Sequence, residues 1–236
     1  MATTRALLVI ADIGGYTRFM RLHRMSLAHA QENTDRLLEA VIDAAPRLRL
    51  VNVEGDAAFL YLPEPEAGEV TRSLGELAAA MHRDFHAEQQ ALQALTVCRC
   101  DACAQTGNLQ VKVVAHLGEA VQQTVRDRTS LAGVDVILVH RMLKNSVPVP
   151  EYLLMTEAVR AACEGPVREQ AEEIEEELEG IGRRRLWFVD IDRIAAELPP
   201  PPRPTWSQRT AHATGLTLRS LPYYVGLKRS RVRVGS

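Results

Sequence analysis

No apolar run in this chain approaches the roughly 18 consecutive residues that a membrane-crossing helix needs. The N-terminal stretch "LLVIADIGG" is broken by Asp12, which leaves it too short for a secretory leader. Aromatic residues are scarce at 5%. Neither sign of charge dominates: 28 Lys and Arg stand against 30 Asp and Glu, so bulk electrostatics imply no polyanionic partner. Walker A, G-x-G-x-x-G and G-x-S-x-G patterns are missing, and with them the residues of P-loop, Rossmann and hydrolase-elbow chemistry. Cysteine is limited to four, three of them within positions 98–103, unlike a secreted disulfide scaffold. These absences predict a soluble cytoplasmic protein with no membrane or nucleic-acid partner.

What is present is enough for a real core: 236 residues, 46% of them hydrophobic. "RALLVIAD" reads as a buried strand, and an amphipathic pattern from about Tyr16 to Ala45 reads as a helix closed by Pro46. "LRLVNVEGDAAFLYLP" predicts a hairpin turning at Glu54-Gly55-Asp56. A second helix is predicted over 66–95, and a strand–turn–strand over "LQVKVVAHLGEAVQQTVR" with its pivot at Gly118. A short helix, a strand, a helix and a last strand, "RRLWFVDI", follow. Helices on a largely antiparallel sheet make an α+β fold, and a ferredoxin-like βαββαβ core accounts for the order. Residues 1–195 are expected to form one domain, and 196–236 a proline-rich linker with a basic C-terminal tail. The tail region 203–236 carries seven Arg or Lys and no acid. Residues 164–180 carry eight Glu against one Arg and read as a solvated face, or as a surface on which the basic tail docks.

Asp12 closes the first strand, and Asp56 sits in a turn beside that strand in the inferred core. Two carboxylates at neighbouring strand ends repel unless a cation lies between them, and oxygen donors favour Mg²⁺ or Mn²⁺. Gly14 and Gly15 permit close backbone approach to a ligand. Spacing alone also fits Asp12 as an N-cap and Asp56 as an ordinary turn residue.

"ADIGGYTRFM", "VEGDAAFLY", "VVAHLGEAV" and "AGVDVILVHRM" resemble, in order and approximate spacing, the class III adenylate and guanylate cyclase catalytic domain, over about residues 5–190. The resemblance is to a divergent bacterial branch, and what it implies is specific. Asp12, Asp56 and the carbonyl of Ile13 would hold two Mg²⁺ or Mn²⁺ ions. Gly14, Gly15 and Tyr16 would wrap the phosphates of ATP or GTP. Arg141 would be the transition-state arginine, and a homodimer would complete the site. Asn52 and Ser130 stand where the family reads the purine with lysine and aspartate. Ile137 replaces the transition-state asparagine. Ile181 replaces a phosphate-binding lysine, with Arg183, Arg184 and Arg185 directly after it. A lost preorganised donor costs about 10²–10³ in rate. The resemblance therefore implies metal-dependent nucleotide or phosphate binding with weak or no cyclisation. The alternatives are an active cyclase of unorthodox specificity and a dimerising scaffold.

Cys98, Cys100 and Cys103 form a C-x-C-x₂-C cluster that can converge on a structural Zn²⁺, for which His82, His86 or Cys163 would supply a fourth ligand. Free thiols or a disulfide are the alternative. His116 and His140 read as packing or surface residues, and Trp206, Tyr223 and Tyr224 as anchors for the tail.

Overall fold

Successive side chains of the first strand point alternately to two different cores, and this alternation organises the molecule. Leu7, Val9, Ala11 and Ile13 belong to one buried cluster, whereas Ala6, Leu8 and Ile10 belong to another. The computed structural model describes residues 3–22, 27–95, 105–126 and 128–197. All the described elements lie within the unit Met1–Leu198, and the unit Pro199–Ser236 is outside the described residues.

The strands are β1 (Thr3–Gly14), β2 (Arg49–Glu54), β3 (Ala57–Pro63), β4 (Gln110–Val125), β5 (Arg128–Ala132), β6 (Tyr152–Thr156), β7 (Glu172–Leu178) and β8 (Gly182–Asp190). The helices are α1 (Tyr16–Leu22), α2 (Leu27–Asp43), α3 (Ala67–Arg72), α4 (Leu74–Leu95), α5 (Val134–Arg141), α6 (Glu157–Ala162), α7 (Pro166–Gln170) and α8 (Ile191–Glu197). The sheet runs β2-β3-β1-β4-β6-β8-β7, with β5 paired to β4. Every described pairing is antiparallel except β4 with β6. The first four strands, in order β2-β3-β1-β4, complete the expected βαββαβ core. Helices α1 to α4 and α6 to α8 pack on one face through residues such as Phe19, Leu37, Val70, Phe85, Val159, Val167 and Ile194. Among the described helices, α5 alone packs on the other face, through Val136, Leu138 and Val139.

The structure corrects three sequence expectations. Gly118 is not a pivot: it lies inside the 16-residue strand β4, opposite Ala6, and the chain reverses at Arg126 (φ 59°) instead. The predicted helix 66–95 is two helices, parted at Ser73, whose hydroxyl donates back to the Glu69 carbonyl at 3.3 Å and competes with helical bonding. The acidic run contains a strand, β7, in which five of seven residues are Glu. It adds to the sheet because β8 faces it with arginines: Glu175, Glu176 and Glu177 register against Arg185, Arg184 and Arg183. The predicted helix 16–45 corresponds to α1 and α2, with residues 23–26 between them outside the described residues.

Candidate functional site

Asp12 takes the next place in the series Ala6, Leu8, Ile10, so its carboxylate belongs to the α5 face of the sheet. Its Cα neighbours are Ala57 on β3 and Lys112 on β4. Asp56 immediately precedes β3, in a turn made possible by Gly55 (φ 65°). Its carbonyl accepts the Ile13 N–H at 3.0 Å, which fastens the turn to the end of β1. The backbones carrying the two carboxylates are therefore joined at one corner of the sheet, and the charge of Asp56 is felt at Asp12. Burial pushes Asp12 up to about 6, with repulsion from Asp56 adding to the rise and Lys112 opposing it. Asp56 is also pushed up by burial, against the pull of its own backbone N–H and of Lys112.

Sequence reasoning missed Lys112. Its ammonium lies 5.9 Å from the centre of the Tyr152 ring, within cation–π range. Gly14 makes room for it, because a Cβ there would come within 3.0 Å of Lys112 Cε. The signal was a lone lysine in the apolar strand "LQVKVVAHL". Only the β1–β4 register reveals that it faces Asp12. Tyr152 exchanges hydrogen bonds with Asn145 at 2.8 and 3.0 Å, and burial raises its phenol, with Asp12 adding to the rise. Tyr16, at the start of α1, is raised by burial and by Asp56 and Asp35, so it borders the same corner.

The other sequence-predicted residues are dispersed. Ile13 is buried among the helices, and only its backbone reaches the corner. Gly15 precedes α1 with φ 86°, a conformation that favours glycine. Asn52, on β2, donates to Glu54 at 2.7 Å. Ser130 is exposed on β5, opposite Gln123. Ile137 is half exposed on α5. Arg141 ends α5 and donates to Glu179 at 2.6 Å in the turn between β7 and β8. It is not among the charges acting on Asp12 or Asp56. Arg183 lies on β8, 3.9 Å from Glu175, in an exposed pair. Ile181 closes the preceding turn by donating its N–H to the Leu178 carbonyl. Cys98, Cys100 and Cys103 fall outside the described residues. Cys163 is sealed in the core, where burial pushes its thiol up to about 12. His82 and His86 do share a face of α4, and the carboxylate they meet is Glu151.

A divalent ion of the kind the cyclase resemblance implies can be tested against this corner. Two carboxylates, both pushed up by burial and Asp12 further by Asp56, make an oxygen donor set that a hard dication satisfies. The residues fit such an ion, with Lys112 as a resident competitor for the same charges.

Comparison with known proteins adds family and fold. Residues 34–152 match the family described as "Protein of unknown function (DUF2652)". The chain is 37% identical over 196 residues to "Uncharacterized protein Rv2561/Rv2562" of Mycobacterium tuberculosis, covering 83% of this chain and 90% of that protein. Among solved structures, the guanylyl cyclase Cya2 superposes with a TM-score of 0.61 at 11% identity, covering 80% of this chain and 92% of that one. The guanylate cyclase domain of RhGC from Catenaria anguillulae, solved in complex with GTP, superposes with a TM-score of 0.54 at 14% identity, covering 80% and 98%. At these identities the likeness shows the fold: a cyclase-like α+β sheet. No described helix is long and apolar enough to cross a membrane.

Proposed function

This chain belongs to the DUF2652 family, and from the corner formed by Asp12 and Asp56 we propose that it is a divergent class III cyclase-like domain. In this reading it binds a nucleoside triphosphate or a related phosphate ligand through a divalent metal, with weak or no cyclisation. The carrying observation is the pair of partly buried carboxylates, Asp12 raised further by Asp56, at the joined ends of β1 and the β2–β3 turn. A bound Mg²⁺ or Mn²⁺ would neutralise phosphate charge there. The chain's own contribution is to hold the two carboxylates in register. Gly15 takes the φ of 86° that turns the chain into α1, and Tyr16 lies at the start of that helix. Asn52 and Ser130 retain hydrogen-bonding side chains for a base.

The expectation of weak chemistry rests on Ile137 and Arg141. Ile137 offers no hydrogen bond to a developing charge. Arg141 is engaged with Glu179, on the side of the sheet away from β2 and β3. A second copy would be needed to bring an Arg141 to the carboxylates. Val134 and Ile137, apolar and 67% and 50% exposed on α5, suit such a homodimer contact.

Lys112 favours a second reading. The Lys112 charge opposes the rise of both carboxyls and so supplies part of the neutralisation that a metal would bring, which suits a dimerising scaffold without ligand. Titration of fluorescent ATP and GTP analogues with and without Mn²⁺ separates these, using wild type and Asp12→Ala, with chromatography for cyclic product. Mn²⁺-dependent binding, weakened at least tenfold in Asp12→Ala and without cyclic product, is expected. Cyclic nucleotide would move the protein to the active-cyclase class, and no binding would leave the scaffold.

A further inference from the structure

We propose that His82, His86 and Glu151 form a binding site for a single transition-metal dication of zinc-like preference, on the helix-covered face of the sheet. The site is separate from the aspartate corner and does not depend on the reading above.

The ligand atoms of the three residues lie within 4.8 Å of one another. His82 Nε2 is 3.1 Å from one Glu151 oxygen, and His86 Nε2 is 2.9 Å from the other. A tetrahedral zinc ion with bonds of about 2.0–2.1 Å places its ligand atoms roughly 3.3 Å apart, so the observed spacings need little adjustment. His82 is 8% exposed and Glu151 is 7% exposed. A buried carboxylate with two imidazole nitrogens aimed at it is a donor set, not a solvated surface cluster.

The orientation of His86 is set from behind. Gln89 Nε2 donates to the carbonyls of Thr106 and Leu109 at 2.9 and 2.8 Å, which fixes its amide. Its oxygen must then accept from His86 Nδ1–H at 2.9 Å. Nε2 of His86 therefore faces Glu151 with either a lone pair or a second proton. The second proton can serve one ring. With the two rings 4.4 Å apart between centroids, charging both repels. One dication satisfies both lone pairs and the carboxylate together. An outer partner that fixes the tautomer of a ligating histidine is a regular feature of metal sites. Glu151 is fixed in turn by the Val111 N–H at 2.9 Å. Asp192 Oδ1 lies 3.2 Å from His82 Nε2 and is largely exposed, but it is outside the cluster that His82 forms with His86 and Glu151, so water would complete the coordination. Imidazole donors select zinc-like ions over Mg²⁺ or Ca²⁺. Two histidines at i, i+4 on a helix with a distant glutamate also occur in zinc hydrolases. Here Arg83 occupies the position of the usual glutamate base and pairs with Asp84. The ion would therefore act as a clamp, joining α4 to the entry of β6.

The test uses full-length, metal-stripped protein titrated with Co²⁺ and followed by visible absorption. It is run in the parent chain and in a chain with Cys98, Cys100 and Cys103 changed to serine. One equivalent is expected to give ligand-field bands without thiolate charge transfer. That equivalent should weaken at least ~10-fold, the lower bound for losing even an outer partner, in His86→Gln and in His82→Gln. Zinc should raise the melting temperature of the parent but not of Glu151→Gln, with circular dichroism checking that each variant folds. Unchanged Co²⁺ affinity in both histidine variants, or no nitrogen–oxygen equivalent in either background, would falsify the site.

Discussion

Asp12 carries a carboxylate where the alternation of β1 otherwise places apolar side chains. Its ionised form is costly in the folded chain, because burial and Asp56 outweigh Lys112. The sign follows from linkage. A carboxyl held at about 6, against 3.8 in the unfolded chain, binds its proton more tightly when folded. In metal-free protein its contribution is therefore most favourable below pH 4. It is lost as pH rises to 6, and the cost above that is up to about 3 kcal/mol. Asp12→Asn in chelator is expected to stabilise the protein by ~1–3 kcal/mol at pH 7.5 and to leave it unchanged near pH 4. Denaturant melts at the two pH values check this, and equal effects at both would remove the electrostatic account. At this scale the sequence disclosed half of the corner. An acid ending an apolar strand and an acid in a glycine turn are visible as a pair. Lys112 and Glu151 are not, because their neighbours come from strand register and from segments tens of residues away.

Strand β4 shows how an element is misread and why. Glycine between short apolar runs signals a turn, and "AHLGEAV" satisfies that pattern. The structure uses Gly118 for a different purpose. A Cβ there would lie 2.4 Å from Asp135 Cγ and 2.5 Å from Asp135 Cβ, so the glycine allows α5 to sit down on the sheet. Asp135 then accepts the Glu119 N–H at 2.6 Å and stands 3.1 Å from His116 Nε2. Gly118→Ala is expected to cost about 1–3 kcal/mol through displacement of α5. Thermal melting would register this as a drop of roughly 2–12 °C, and an unchanged midpoint would show that the helix yields freely. Strand β7 escaped the reading for the opposite reason. Its glutamates hide the weak alternation of Ile174 and Leu178, and its partner arginines become relevant only once β8 is beside it. The apolar strands, the β2–β3 hairpin and the helical periods were legible because each declares itself locally.

For the molecule as a whole, the exposed apolar side chains Val134 and Ile137 on α5 face away from the described core. If they meet a second copy, charging them should separate it. Val134→Asp with Ile137→Asp is expected to convert a dimer into a monomer, measured by light scattering coupled to size-exclusion chromatography. A wild-type monomer at tens of micromolar would exclude the contact. The two borders of the sheet bear on which contacts are open. On one side β2 presents Leu50 and Val53, each 47% exposed. On the other, β7 lines the rim with five glutamates. Unpaired rims invite neighbouring chains to stack into ribbons, and a row of like charges is a deterrent to that. Growth of the sheet by rim-to-rim addition is thus opposed at β7, even though Arg183, Arg185 and Arg193 offset part of that charge. Replacing those glutamates with glutamine would lift that bar, and fibrillar precipitation of the variant is the outcome to watch for.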